Sequence, residues 1–170
     1  KTMKNVRKRT SLSAVLLLLL AVSVQGARVD TTWVDSPSMK KKVEVIYVVP
    51  DKALGENPQA CPVVYLLHGY GGNAGTWIGI KPELGKIADE KGLIFACPDG
   101  ENSWYWDSPK HEDVRYETFI SSELIKYTDA HYATRADRKG RAITGLSMGG
   151  HGAMWNALRH KDVFGAAGST

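Results

Sequence analysis

The pentapeptide Gly145-Leu146-Ser147-Met148-Gly149 places a serine between two glycines where the sequence pattern changes from strand to helix. Residues 141–144 read as a short strand, and residues 150–159 are rich in helix formers. A serine at such a turn is expected to take a positive φ, which costs about 1–3 kcal/mol for a residue that has a Cβ. We therefore predict that the Ser147 hydroxyl is exposed, and that the Met148 amide begins a helix, where it can donate to a negatively charged oxygen. The alternative is a glycine-rich turn with an incidental serine.

A second glycine-rich loop, His68-Gly69-Tyr70-Gly71-Gly72, follows the continuously apolar run at residues 62–67. Reacting groups in α/β proteins lie beyond the carboxyl ends of the strands, so this loop is expected to lie near Ser147. The Tyr70 amide then becomes a second oxyanion donor beside that of Met148. A phosphate-binding loop is the competing interpretation, but the loop lacks the lysine and the Ser/Thr that a P-loop requires.

The remaining pattern alternates between strands and helices. Residues 29–34 and 42–49 read as an antiparallel pair with a turn at 36–38, and residues 93–97 read as a further buried strand. Helical spacing appears at 82–91 and 116–132, and the apolar stretch 163–168 resembles one more strand. We predict an α/β fold with a mostly parallel sheet covered on both faces, preceded by an antiparallel strand pair.

The N-terminal residues 1–26 have the pattern of a secretory signal peptide. A positively charged segment precedes an apolar run at 12–24 that is short for a membrane span, and a small residue, Gly26, marks the expected cleavage point. We expect export to a secreted or periplasmic location, with residues 27–170 as the N-terminal part of one domain. An uncleaved signal anchor is the alternative.

The charge balance argues against a nucleic-acid partner. The chain carries 22 Lys and Arg and 18 Asp and Glu, and five of the basic residues precede residue 27. Removing that segment leaves 17 basic against 18 acidic residues, so no basic excess remains to attract a polyanion.

The two cysteines, Cys61 and Cys97, are expected to be separate thiols. If their strands end at His68 and Asp99, the cysteines lie at heights that differ by roughly 16 Å, at about 3.3 Å per residue. A disulfide needs Cα atoms within about 7 Å of each other. Cys97 is expected to be buried as a small apolar group.

The chain resembles the α/β-hydrolase superfamily. More narrowly, it is similar to the esterase group that includes S-formylglutathione hydrolase, esterase D, tributyrin and feruloyl esterases, and the mycolyltransferases. The likeness spans roughly residues 40–170. Its residues are Tyr65-Leu66-Leu67-His68-Gly69-Tyr70-Gly71-Gly72, Trp77, Pro98-Asp99-Gly100 and Gly145-Leu146-Ser147-Met148-Gly149-Gly150. The resemblance implies that Ser147 is the nucleophile and that the Tyr70 and Met148 amides form the oxyanion hole.

In this superfamily the triad acid and histidine follow the serine strand in chain order. Only 23 residues follow Ser147, so we expect the triad acid, the histidine and the last strands of the sheet to be missing from this sequence. His151 and His160 lie along the helix after Ser147, and the resemblance makes His68 a loop-shaping residue. We interpret these three histidines as packed or solvated residues and not as the base.

Two acidic residues are further candidates for the triad. Asp162 lies near the end of the helix that follows Ser147, and Asp99 follows the fourth strand. We interpret Asp162 as a surface acid and Asp99 as a turn residue.

The loop after the fourth strand contains three consecutive aromatic residues, Trp104, Tyr105 and Trp106. They are candidate substrate-binding residues, because an aromatic wall can receive an aromatic acyl group or the face of a sugar. The alternative is that these rings pack against the loop itself.

Together these observations favour an exported serine esterase that hydrolyses small carboxylic esters, including acyl groups on carbohydrate, through an acyl-enzyme on Ser147. The alternatives are an acyltransferase of the same fold and a non-catalytic carbohydrate-binding relative. No cofactor or metal motif is evident, and we expect a small-molecule or carbohydrate ester as substrate, with no nucleic acid and no stable membrane span after cleavage. The sequence does not indicate the oligomeric state.

Overall fold

The computed structural model describes residues 26–170, which contain a six-stranded sheet in the order β1-β2-β4-β3-β5-β6. The strands are β1 (Arg28–Ser36), β2 (Lys41–Val49), β3 (Val63–Leu67), β4 (Ile94–Pro98), β5 (Arg141–Gly145) and β6 (Ala166–Ala167).

The predicted N-terminal antiparallel pair is confirmed. β1 and β2 form a hairpin whose register runs from Arg28 opposite Val49 to Ser36 opposite Lys41. β2 also pairs antiparallel with β4, whereas β4, β3, β5 and β6 are mutually parallel. The sheet is therefore mostly parallel, as the alternation of strands and helices predicted.

Helices cover both faces of the sheet. The α-helical segments are α1 (Thr76–Ile80), α2 (Leu84–Lys91), α3 (Tyr116–Thr118), α4 (Leu124–His131) and α5 (Met148–Arg159). A π-helical turn at Phe119–Glu123 joins α3 to α4, so the helix predicted at 116–132 is one continuous helical segment of three parts. The short helix α1 was not predicted. Gly92 ends α2 in the left-handed conformation, as expected of a glycine at that position.

The core has two layers, one on each face of the sheet. Side chains such as Val45, Tyr65 and Ile143 pack with α3, α4 and α5 on one face. Val48, Leu66 and Phe95 pack with α2 on the other face. Strands buried on both faces explain the continuous apolar runs in the sequence.

Both cysteines are free, as predicted, and Cys97 is buried, as predicted. Cys61 is buried as well. Burial raises the pKa of the Cys97 thiol to about 12, so Cys97 is a protonated, apolar core residue.

Almost all of the predicted signal peptide lies outside the described residues, which begin at Gly26. From residue 26 onward, no helix combines the length and the apolar character that crossing a membrane requires.

Candidate active site

Ser147 occupies a strained turn between β5 and α5. Its backbone angles are φ 55° and ψ −114°, and its side chain is exposed. The predicted positive φ is therefore confirmed. A Cβ on Gly145 would overlap the backbone of Gly149, and a Cβ on Gly149 would overlap the carbonyl of Leu67. The two glycines thus allow the turn to pack against itself and against β3.

Backbone hydrogen bonds fix this turn from several sides. The Leu146 amide donates to the Leu67 carbonyl at 3.1 Å, and the Ser147 amide donates to the Thr170 carbonyl at 2.9 Å. The His151 amide donates to the Ser147 carbonyl at 3.0 Å, which begins the α5 hydrogen-bond ladder. A residue held in a sparsely populated φ/ψ region needs such surroundings to stay there.

The loop after β3 passes directly beside Ser147. An ideal Cβ built on Gly69 would lie 3.7 Å from the Ser147 Cβ, so the two glycine-rich motifs meet, as the sheet topology predicted. Within residues 26–170, neither the Tyr70 amide nor the Met148 amide donates a hydrogen bond to another protein group. Both amides are therefore available to a substrate oxygen.

His68 holds this loop in place through both ring nitrogens. Nε2 accepts a hydrogen bond from the Gly100 amide at 2.8 Å, and Nδ1 donates to the Gly69 carbonyl at 2.7 Å. Because Nε2 accepts, the ring is neutral and carries its proton on Nδ1. The 3.3 Å contact between Nε2 and Asp99 is therefore not an ion pair. Asp99 Oδ1 instead accepts from the Glu101 amide at 2.8 Å, as a turn residue does.

Three further side chains support the same loop. The Asn102 Oδ1 accepts from the Gly71 amide at 2.8 Å, and Trp77 Nε1 donates to the Leu67 carbonyl at 3.0 Å. The Tyr105 hydroxyl donates to the His68 carbonyl at 3.2 Å. Asn102 was not recognised from the sequence, because nothing in its spacing shows that it pairs with a residue 31 positions earlier.

The aromatic loop does not form a single wall. Trp104 and Trp106 are 46% and 43% exposed, but the Tyr105 side chain is fully buried. The interpretation of Tyr105 as a substrate-binding residue is wrong, because its ring fills the space beside Gly100 and Gly152. Burial also raises its pKa above the usual value, which keeps the hydroxyl protonated as a donor.

No histidine among residues 26–170 forms a hydrogen bond with the Ser147 hydroxyl. The His151 Nδ1 lies 3.2 Å from the Trp104 carbonyl, and His160 Nε2 lies 2.9 Å from Glu117 Oε1. His151 was expected to be a packed or solvated residue and not the base. The structure shows it exposed and in contact with tryptophans.

The class of the protein follows from this arrangement. α/β-Hydrolases carry their nucleophile at a strained strand-to-helix turn and take an oxyanion amide from the loop after an earlier strand. The sheet order and the helices on both faces place this chain in that fold class.

The chain belongs to the esterase family described as "Putative esterase", whose model matches residues 36–170. An acetyl esterase from Caldicellulosiruptor saccharolyticus is 30% identical over 135 residues, which are 76% of this chain and 50% of that protein. A solved ferulic acid esterase structure has a TM-score of 0.72 at 29% identity and covers 84% of this chain and 58% of that one. For an S-formylglutathione hydrolase from Agrobacterium tumefaciens the TM-score is 0.74 at 25% identity, with 85% of this chain and 57% of that one covered. The chain thus spans between 50% and 58% of the length of these relatives.

Proposed function

We propose that this protein is a serine esterase that cleaves small carboxylic esters with the Ser147 hydroxyl as nucleophile. The observation that carries the proposal is the exposed serine at φ 55° with the Gly69 backbone beside its Cβ. A positive φ in a non-glycine residue costs free energy and is found where function requires it. Membership of the esterase family supports the same reaction class.

The reaction follows the acyl-enzyme route. The Ser147 Oγ attacks the ester carbonyl carbon while its proton passes to a base, and the carbonyl oxygen becomes an oxyanion that accepts from the Tyr70 and Met148 amides. Each donor is typically worth about 3 kcal/mol in the transition state. The C–O bond then breaks, and the alcohol leaves with the proton. Water attacks the acyl-enzyme, releases the carboxylic acid and restores the serine hydroxyl.

A serine hydroxyl needs a base within hydrogen-bond reach to be an efficient nucleophile. His68 uses both ring nitrogens to hold the loop backbone, and His160 contacts Glu117. We infer that the triad histidine and acid come from outside residues 26–170, as the chain order of α/β-hydrolases implies.

The substrates we propose are small esters, including acyl groups carried on carbohydrate, and the proposed location is outside the cytoplasm. The acetyl esterase and ferulic acid esterase relatives support the substrates. The N-terminal signal pattern supports export.

Export predicts that the mature protein, isolated from its natural host, begins near residue 27 in N-terminal sequencing. A mature protein that still carries residues 1–26 would contradict cleavage of a signal peptide.

The test of the reaction is hydrolysis of p-nitrophenyl acetate by the native-length protein and its Ser147→Ala variant. We expect kcat to fall by at least about 1,000-fold in this variant. Ser169→Ala is the matched control, since Ser169 is exposed and lies beside Gly150 near the same turn. Ser147→Ala turnover close to that of the wild type would overturn the proposal.

The same preparation separates the two alternatives. An acyltransferase would divert the acyl group from water to an added alcohol or sugar. A non-catalytic carbohydrate-binding protein would hydrolyse no ester, and its retention on immobilised polysaccharide would survive Ser147→Ala.

A further inference from the structure

An open groove of about 260 Å³ lies between the aromatic loop and the outer face of α5. It is lined by Trp104, Trp106, His151 and Trp155, and almost all of its surface is apolar. We call it the aromatic groove. Three tryptophans around one exposed apolar groove are unusual on a protein surface, where large apolar groups normally occur singly.

The aromatic groove begins one helical turn from Ser147. His151 and Trp155 lie four residues apart and form one row along α5. Ser147 precedes the helix, and its carbonyl accepts a hydrogen bond from the His151 amide. Each step of four residues advances about 6 Å along the helix axis. His151, which lines the groove, is therefore one helical turn from the backbone of Ser147.

The rings are held in a defined arrangement. His151 and Trp155 are stacked, with centroids 5.9 Å apart and an interplanar angle of 21°. Trp104 meets His151 edge-on at 5.4 Å, and Trp106 meets Trp155 edge-on at 6.5 Å, both at 83°. The four rings that line the groove therefore contact one another as one cluster.

Two of the ring nitrogens of these side chains are engaged in hydrogen bonds within the protein. Trp155 Nε1 donates to Glu117 Oε2 at 2.7 Å, and His151 Nδ1 pairs with the Trp104 carbonyl at 3.2 Å. Trp104 and Tyr105 both have a positive φ. The Tyr105 side chain is buried, whereas the adjacent Trp104 side chain is exposed. What remains exposed in the groove is chiefly ring surface.

We propose that the aromatic groove binds one aromatic ring of the ester substrate. This inference rests on the proposed function, because it assigns a substrate group to the same site. Because the surface of the groove is almost wholly apolar, it offers the hydroxyl groups of a sugar almost no hydrogen-bond partner. An aromatic ring loses no hydrogen bond there and gains edge-to-face and stacked contacts. The ring comes from either the acyl or the alcohol half of the ester.

The test compares kcat/KM for three esters: ethyl butanoate, ethyl 3-phenylpropanoate and 2-phenylethyl butanoate. The first has no aromatic ring, the second carries one on the acyl side, and the third carries one on the alcohol side. We expect one aryl ester to exceed ethyl butanoate by about tenfold or more, which identifies the half of the ester that enters the groove. An absence of preference for either aryl ester would overturn the proposal.

The deciding variant is Trp106→Leu, which removes one side of the groove and leaves the Trp155–Glu117 hydrogen bond in place. We expect it to lower the ratio of aryl to aliphatic kcat/KM by about tenfold. Trp33→Leu is the matched control, because Trp33 is a 58% exposed tryptophan on β1 outside the groove, and we expect that ratio to be unchanged. Equal loss of all three activities in Trp106→Leu, or the same change of ratio in Trp33→Leu, would contradict a specific site.

A binding measurement separates failure of this inference from failure of the proposed function. Ethyl 3-(4-fluorophenyl)propanoate and 2-(4-fluorophenyl)ethyl butanoate are titrated separately into the Ser147→Ala protein and followed by ¹⁹F NMR. We expect Trp106→Leu to weaken binding of the preferred ester by about fivefold or more. Binding that depends on Trp106 without ester turnover would reject the esterase and keep the groove. Ester turnover that depends on Ser147, together with ester binding that Trp106→Leu does not change, would reject the groove as a binding site and keep the esterase.

Discussion

Ser147 holds a backbone conformation that neither helix nor strand requires. Its φ of 55° and ψ of −114° carry a cost of about 1–3 kcal/mol in a residue that has a Cβ. Hydrogen bonds from the amides of Leu146 and Ser147 to β3 and to Thr170 keep the turn in this state. The result is a hydroxyl exposed beside the loop that carries the Tyr70 amide.

Two variants of Ser147 measure this strain at the level of the single residue. Ser147→Ala keeps the Cβ and the strain, whereas Ser147→Gly removes both. Glycine also costs about 0.5–1 kcal/mol through the entropy of the unfolded chain. We therefore expect Ser147→Gly to exceed Ser147→Ala by about 1 kcal/mol in the free energy of unfolding from urea titrations. A less stable glycine variant would show that the turn is not strained.

At the level of structural elements, the loop after β4 positions the loop after β3. Asn102 accepts the Gly71 amide proton, and the Gly100 amide donates to His68. These contacts fix the backbone on either side of Tyr70. An oxyanion donor is effective only if it is held in place before the reaction.

Asn102→Ala tests this positioning role. We expect kcat for p-nitrophenyl acetate to fall by about fivefold to tenfold with little change in KM, because the lost hydrogen bond orients a donor that acts in the transition state. Affinity for a phosphonate transition-state analogue is expected to fall in parallel. Asn57→Ala, in an exposed loop, is the matched control. A rise in KM alone would assign Asn102 to substrate binding instead.

A second contact between elements joins α3 to α5. Glu117 accepts from Trp155 Nε1, Arg159 Nε and His160 Nε2 at 2.7, 2.7 and 2.9 Å. Burial of the Glu117 carboxylate raises its pKa, but the hydrogen bonds from Arg159, Trp155 and His160 outweigh burial and hold the pKa below its usual value. Ionised Glu117 therefore stabilises the packing of α5, the helix that follows Ser147.

The lowered pKa predicts how stability changes with pH. Ionised Glu117 stabilises the fold above the unfolded-state pKa, about 4.3, and this contribution is lost as the pH falls through the folded-state pKa. We expect Glu117→Gln to cost about 1–2 kcal/mol at pH 7, with the difference from the wild type shrinking between about pH 5 and pH 3. Urea titrations of both proteins at several pH values across this range measure the difference in the free energy of unfolding. A difference that stays constant with pH would contradict the role of the charge.

For the whole molecule, the sequence predicted the elements and the turn better than the contacts between them. Local patterns predicted the buried strands β3 and β4, the β1–β2 pair and the positive φ of Ser147. Local patterns did not indicate the strand order, because that order depends on pairing between segments far apart in the chain.

The errors at the site have the same physical origin. Three adjacent aromatic residues look alike in sequence, yet the Tyr105 ring turns inward because Gly100 and Gly152 leave room for it. Likewise, Trp155 and His151 join Trp104 and Trp106 in one groove only through packing between α5 and a loop more than 40 residues away. Such contacts are properties of the folded chain and not of local spacing.

The most direct measurement on the whole molecule is covalent labelling of the native-length protein with a fluorophosphonate, followed by mass mapping of its peptides. We predict one adduct, on the peptide that contains Ser147, and its complete loss in Ser147→Ala. An adduct on any other serine, an adduct that persists in Ser147→Ala, or no adduct on a preparation that hydrolyses esters would contradict the assignment of Ser147 as the nucleophile.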